Sequence, residues 1–183
     1  MKKSNSIMKI SLIVVSALAV GLIGVVAVLS LPWLLIAGGI WLSPDPPKPE
    51  ITYGEFPFQI TYVLDEEMYS VDGVYVCEYA GIGANEGVGK YVKWDGYIKG
   101  TEDEDLFIME RDGKRIYCSV GWPEYYMDDP EDDTDSAPEP SFYSKFPYLG
   151  GTSTHYINDE ELADYGIMVI SYELSKPIKN SFK

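Results

Sequence analysis

The chain has 183 residues, 29 Asp and Glu against 14 Lys and Arg, one His and two Cys, for a formal net charge of −15. A field of that sign repels phosphate backbones and anionic headgroups, which weighs against nucleic acid as a partner. Two cysteines without a histidine cluster weigh against a zinc site.

Residues 10–42, ISLIVVSALAVGLIGVVAVLSLPWLLIAGGIWL, carry no charge over about 33 positions. Roughly 20 apolar helical residues cross a bilayer, and backbone amides in lipid must pair within the segment, so this run is expected to be a transmembrane helix. Pro32 lacks an amide hydrogen and predicts a kink or break. Trp33 and Trp41 flank the last apolar piece, as in an interfacial aromatic belt; that piece is too short to cross back. Lys2, Lys3 and Lys9 precede the run, so the positive-inside rule keeps residues 1–9 in the cytoplasm and exports the C-terminal part. A cleaved signal peptide is the rival. Its small-x-small pattern, Ala17-Leu18-Ala19, falls in the middle of the apolar run and not at its end.

Residues 43–50, SPDPPKPE, form a proline-rich spacer that holds the exported part off the membrane. All 29 carboxylates lie beyond the anchor with only 11 cations, about −18 in formal charge. That charge favours solubility, and it favours a cationic surface ligand or divalent ions over anions. Residues 51–183 have the size of one domain, and their wealth of Tyr, Phe, Val and Ile points to strands.

Phe58, Ile60, Tyr62 and Leu64 alternate with Gln59, Thr61 and Val63, the period of a strand with one buried face. Residues 68–71 and 74–79 are strand-like and meet at Asp72-Gly73, which predicts a tight hairpin or a bulge in a longer strand. The glycine-rich AGIGANEGVGK fits neither phosphate-binding fingerprint: Glu86 stands where a dinucleotide site needs glycine, and Ala84 and Tyr91 break the P-loop. A flexible connection between strands is expected there. Residues 90–98 resume strand character around Trp94, and residues 106–111 and 114–120 flank Asp112-Gly113 as a hairpin. Pro123 can open one helical turn. Residues 128–140, DDPEDDTDSAPEP, contain nothing larger than Ala to bury and are expected to form a mobile acidic loop. Asn158 with Glu161 has the form of a capping box, Gly166 ends that helix, and residues 167–174, IMVISYEL, read as a well-buried final strand. The fold expected is mainly β: an N-terminal transmembrane helix, then a small antiparallel β-sandwich-like or α+β domain with one short helix.

The segments YGEFPF, GKYVKW, SVGWPEYYM and YGIMVISYELSKPIKNSF resemble those of a family of small, uncharacterised, membrane-anchored surface proteins of Gram-positive bacteria. The resemblance implies the architecture and brings no activity or functional residue with it.

Cys77 and Cys118 lie in strand-like runs. If the strands are neighbours, an oxidising compartment favours a disulfide, whose loop of about 40 residues would add roughly 3–4 kcal/mol; two buried free thiols are the alternative. Asp129, Asp132, Asp133 and Asp135 are the weak candidates for calcium, but as an EF-hand the loop would place Thr134 at the required glycine and Pro140 at the required glutamate. Trp122, Glu124, Tyr125 and Tyr126 are the candidate ligand-stacking cluster, for a carbohydrate or as part of a carboxylate-based glycosidase. His155, read as a loop residue, would have to serve any triad, with Ser153, Asp159 or Cys118 nominally at hand and no nucleophile elbow around them. No cofactor is indicated. A cell-surface binding or sensing module is the expected function, with a cell-envelope carbohydrate-active enzyme or a calcium-binding surface protein as alternatives.

Overall fold

The computed structural model describes residues 2–101, 103–132 and 137–183. The chain forms two compact units, Met1–Asp45 with Ala84–Lys90, and Pro46–Gly83 with Tyr91–Lys183.

In the first unit, helix α1 (Lys2–Leu42) runs unbroken through Pro32, so the expected break does not occur. Its segment Leu18–Leu42 is long and apolar enough to cross a membrane. Lys90 closes the helix end: its Nζ donates to the carbonyls of Trp41 at 3.2 Å and Ser43 at 2.7 Å, and it lies 2.8 Å from Asp45 Oδ1. A cation on the last carbonyls complements the helix dipole where the chain itself offers no basic residue in the final turn.

The second unit is built from two four-stranded antiparallel sheets. β1 (Tyr53–Leu64), β2 (Glu67–Asn85), β3 (Gly89–Ile98) and β8 (Ile167–Leu174) form the first, in the order β3-β2-β1-β8. β4 (Leu106–Arg111), β5 (Lys114–Ser119), β6 (Ser141–Tyr148) and β7 (Gly151–Ile157) form the second as a meander. Of these strands only the tips of β2 and β3 at their connecting turn, Ala84–Lys90, fall in the first unit. One core draws on both sheets, including Phe56, Phe58, Ile60 and Tyr62 of β1, Cys77 of β2, Trp94 of β3, Ile116 and Cys118 of β5 and Phe142 of β6. This is a sandwich. β1 alternates as its sequence predicts, and the Asp112-Gly113 hairpin forms with both residues at positive φ. Two short helices occur where one was expected: α2 (Pro123–Tyr126) and α3 (Asp159–Asp164), the latter with both hydrogen bonds of its capping box in place.

Several expectations fail for identifiable reasons. Of the two readings of Asp72-Gly73 the hairpin fails and the single longer strand holds, without a bulge: the chain turns at Asp65-Glu66, both at positive φ, and β2 continues past Gly73 in regular register with β1. The glycine-rich stretch is no flexible connection, because β2 extends to Asn85 and the Asn85 side chain accepts from the amides of Gly87 and Val88 to close a tight turn. The final strand is an edge strand, leaving Met168, Ile170 and Tyr172 exposed. An apolar run alone does not distinguish a central strand from an edge. Residues 151–157 are a strand not foreseen in the sequence, and His155 lies on it.

The disulfide is absent. Cys77 and Cys118 are free, fully buried thiols on strands of different sheets. Burial pushes both up to about 12, with the Glu124 charge adding at Cys77 and the Asp105 charge at Cys118. Thiolate, the reactive form, is therefore scarce near neutrality. Iodoacetamide should label neither cysteine of the native protein and both in urea without reductant, as read by intact mass; a disulfide would leave both unlabelled in urea.

Candidate functional site

A groove of about 710 Å³ opens beside β3 and the turn into α2. It is lined by the half-buried Tyr97 and Trp122 and by the buried Tyr75 and Trp94, and its carboxylates are Asp95, Glu104 and Asp105. No Lys or Arg lines it among the described residues.

Local sequence explains the shape. Along β3, Trp94 turns into the core and Asp95 to solvent. Gly96 has no side chain because a Cβ there would meet Tyr75 Oη at 2.1 Å and Pro123 Cγ at 2.6 Å. Pro123 starts the single turn of α2, which buries Tyr126: its ring packs on Phe56 at 4.7 Å and its hydroxyl donates to the Val120 carbonyl at 2.6 Å.

The acidic loop then holds the two tryptophans. Asp129, only 5% exposed, accepts from Trp94 Nε1 at 2.7 Å through Oδ2 and from the Glu131 amide at 2.9 Å through Oδ1. Asp132 accepts from Trp122 Nε1 at 3.2 Å. Residues 128–132 are therefore fastened by their own carboxylates, against the expectation of a mobile loop. A buried carboxylate is tolerated because charge-assisted donors meet it. Of the calcium candidates, Asp129 and Asp132 are engaged in this way, while Asp133 and Asp135 lie outside the described residues. Among the described residues no group of three or more His, Cys, Asp or Glu is placed to hold a metal ion.

The groove's negative charge is felt by its neighbours. Burial raises the Tyr75 hydroxyl far above its ordinary value, and the charges of Asp105, Glu124 and Glu104 add to the shift. Tyr143 is raised by burial and by donating its hydroxyl to Asp105. Tyr97 donates to Glu78 at 2.9 Å, which raises its own hydroxyl.

The stacking candidates from the sequence separate. Trp122 is a groove wall, and Tyr125 is half-buried against it with ring centroids 6.1 Å apart. Tyr126 is 1% exposed in the core and is not available to a ligand, which corrects that expectation. Glu124 is not among the groove-lining residues; burial raises its pKa, with Asp129 and Asp132 adding. His155 pairs with Glu161 at 3.1 Å on the surface, and Cys118 is sealed in the core, so neither triad reading gains an assembled site. Trp94, Tyr97, Glu104 and Asp105 were not singled out as site residues in the sequence, since nothing local marks strands and loops that meet only in the fold.

The Glu124 shift has a testable sign. A carboxyl whose folded pKa is raised binds its proton more tightly in the folded state, so stability falls as pH rises from the ordinary carboxylate range through the raised value. Glu124→Gln should raise the melting temperature by a few degrees at pH 7. The gain should shrink to nothing near pH ~4, where the wild-type carboxyl is also protonated. A pH-independent difference in thermal melts would refute the burial cost.

Searches of protein-family models, curated proteins and solved structures found no match to this chain.

Proposed function

We propose that the protein is a single-pass membrane protein whose sandwich is an extracytoplasmic binding module, and that its groove takes an organic cation, an ammonium or guanidinium group, at the cell surface. The observation that carries the reading is the groove itself: aromatic walls and, among the described residues, three carboxylates and no lining cation. Its volume is that of a small-ligand site. Desolvated cations over Trp or Tyr faces gain about 2 kcal/mol, and the carboxylates add charge complementarity. Among the described residues the carboxylates do not form a group of three or more placed to hold a metal ion, and their spread along the groove suits an extended organic cation. The anchor and its orientation rest on α1, with the lysines before its apolar run and the proline-rich spacer after it. The resemblance to Gram-positive surface proteins supports the same placement.

Two measurements test this. In cells, the full-length chain should resist carbonate washing, and external protease should remove the domain; a soluble fragment starting downstream of the apolar run would establish a cleaved leader instead. In zwitterionic nanodiscs, calorimetric titration with oligo-lysine should show binding that falls about tenfold in Glu104→Gln/Asp105→Asn and in Trp122→Ala, about 1.4 kcal/mol. Equal weakening by Glu160→Gln/Asp164→Asn, two carboxylates outside the groove, would reduce the effect to the domain's general charge and sink the groove reading.

A further inference from the structure

The second sheet carries another feature on its outer face, joined to the groove by the hydrogen bond from the Tyr143 hydroxyl to Asp105. Ile116 and Cys118 of β5 are completely buried, so Tyr117 between them points outward. Its register partners continue the line across all four strands: Phe107 on β4, Tyr143 on β6 and Tyr156 on β7. The centroids of successive rings are 5.7, 5.7 and 6.1 Å apart. Solvent faces of antiparallel sheets are ordinarily polar. Here Phe107 is 47% and Tyr156 73% exposed and Tyr117 is half-buried, while Tyr143, between Tyr117 and Tyr156, is buried at 6%.

Beside this row runs a charged one, Glu110, Arg115 and Lys145, paired in register on β4, β5 and β6. Lys145 Nζ sits 4.8 Å from the Tyr117 ring centroid and 5.3 Å from that of Tyr143. Glu110 is taken by Arg115 at 3.1 Å, while Lys145 makes no ion pair among the described residues. These side chains, with Thr152, border a hollow of about 400 Å³. In a domain of about −18 formal charge, this hollow has two cations to one carboxylate.

We propose that this face binds an acidic carbohydrate, a uronic-acid-containing oligosaccharide that packs a ring face on the exposed Tyr156 and whose carboxylate meets Lys145. The chemistry requires each part. Sugar C–H faces pack on aromatic rings, ring hydroxyls find partners in the hydroxyls of Thr152, Thr154 and Tyr156, and the carboxylate needs a cation not already paired. A neutral glycan would leave Lys145 on its two tyrosine rings with no added counter-charge. A nucleic acid would bring many phosphates into the repulsive field of the whole domain, whereas one carboxylate at ~0.15 M salt is screened from charges beyond about 8 Å.

The test is calorimetry on the full-length protein in zwitterionic nanodiscs at ~0.15 M salt. The probes are aldouronic acids, short neutral oligosaccharides that carry a single glucuronic or galacturonic acid, with the carboxyl-reduced form of each oligomer as its neutral control. At least one acidic oligomer should bind, about tenfold more tightly than its reduced form. Lys145→Gln should remove that preference. Tyr156→Ala, which deletes a largely exposed ring, should weaken binding several-fold with an unchanged melting temperature. Lys145→Arg keeps the cation and should retain the preference, which separates lost charge from a disturbed sheet. Equal affinity for acidic and reduced oligomers, no binding of any probe at millimolar concentration, or an undiminished preference in Lys145→Gln would each overturn the proposal.

Discussion

Trp94→Phe should destabilise the protein by about 3 kcal/mol, several times the effect of the same change at Trp122. The indole N–H of Trp94 is the side-chain donor to Asp129 Oδ2, at 2.7 Å in a buried setting. Phenylalanine keeps most of the ring's packing in the core but removes the donor, and Asp129 is only 5% exposed, so little water can replace it. The dominant cost is a buried carboxylate left short of one charge-assisted bond. Trp122 also donates to an aspartate, but at 3.2 Å and in a half-buried position, so Trp122→Phe should cost about 1 kcal/mol or less. Urea titration of the detergent-solubilised chain, followed by far-ultraviolet circular dichroism, gives both values. A loss below about 1 kcal/mol for Trp94→Phe would mean that Asp129 is hydrated in solution and that the acidic loop is not fastened.

That interaction also marks the boundary of what the sequence could reveal. Patterns confined to a few neighbouring residues were legible: the alternation of β1, the Asp112-Gly113 turn, the Asn158–Glu161 capping box and the long apolar run each state their own conformation. Trp94 and Asp129 are 35 residues apart, and nothing local tells that one aspartate of a polar loop will turn inward to meet an indole. The same limit applies to β8. IMVISYEL reads as buried because it is apolar, yet its place beside β1 at the sheet edge depends on the chain returning after the second sheet is complete. Of the candidate site, Trp122 was legible as an aromatic beside carboxylates. The groove's other walls come from β2, β3 and the segment before β4, and only the topology brings them together. Tyr126 failed as a candidate for the complementary reason: one helical turn puts adjacent tyrosines on different sides, and its side is the core.

Gly73→Ala should cost about 2 kcal/mol, although alanine is ordinarily the better strand residue by roughly 0.5–1 kcal/mol. Gly73 faces Phe58 directly across the β1–β2 pair. A Cβ at Gly73 would lie 2.3 Å from Phe58 Cζ and 2.6 Å from Cε1, well inside contact distance, so the ring covers the glycine and fills the space a side chain would occupy. The sign then depends on whether the ring can move. Phe58 is 4% exposed within the core shared by both sheets, where displacement forces neighbouring side chains off their preferred rotamers, so the overpacking term exceeds the backbone gain. Asp72 beside it is held in strand geometry by the Gln59 amide at 2.7 Å, which reinforces the extended backbone where the dipeptide alone favours a turn. A double-mutant cycle isolates the effect. In a Phe58→Leu background the shorter side chain no longer covers position 73, so Gly73→Ala should become neutral or stabilising, a coupling of about 2 kcal/mol in urea unfolding. Additive losses in the two backgrounds would show that the Phe58 ring does not set the cost at position 73.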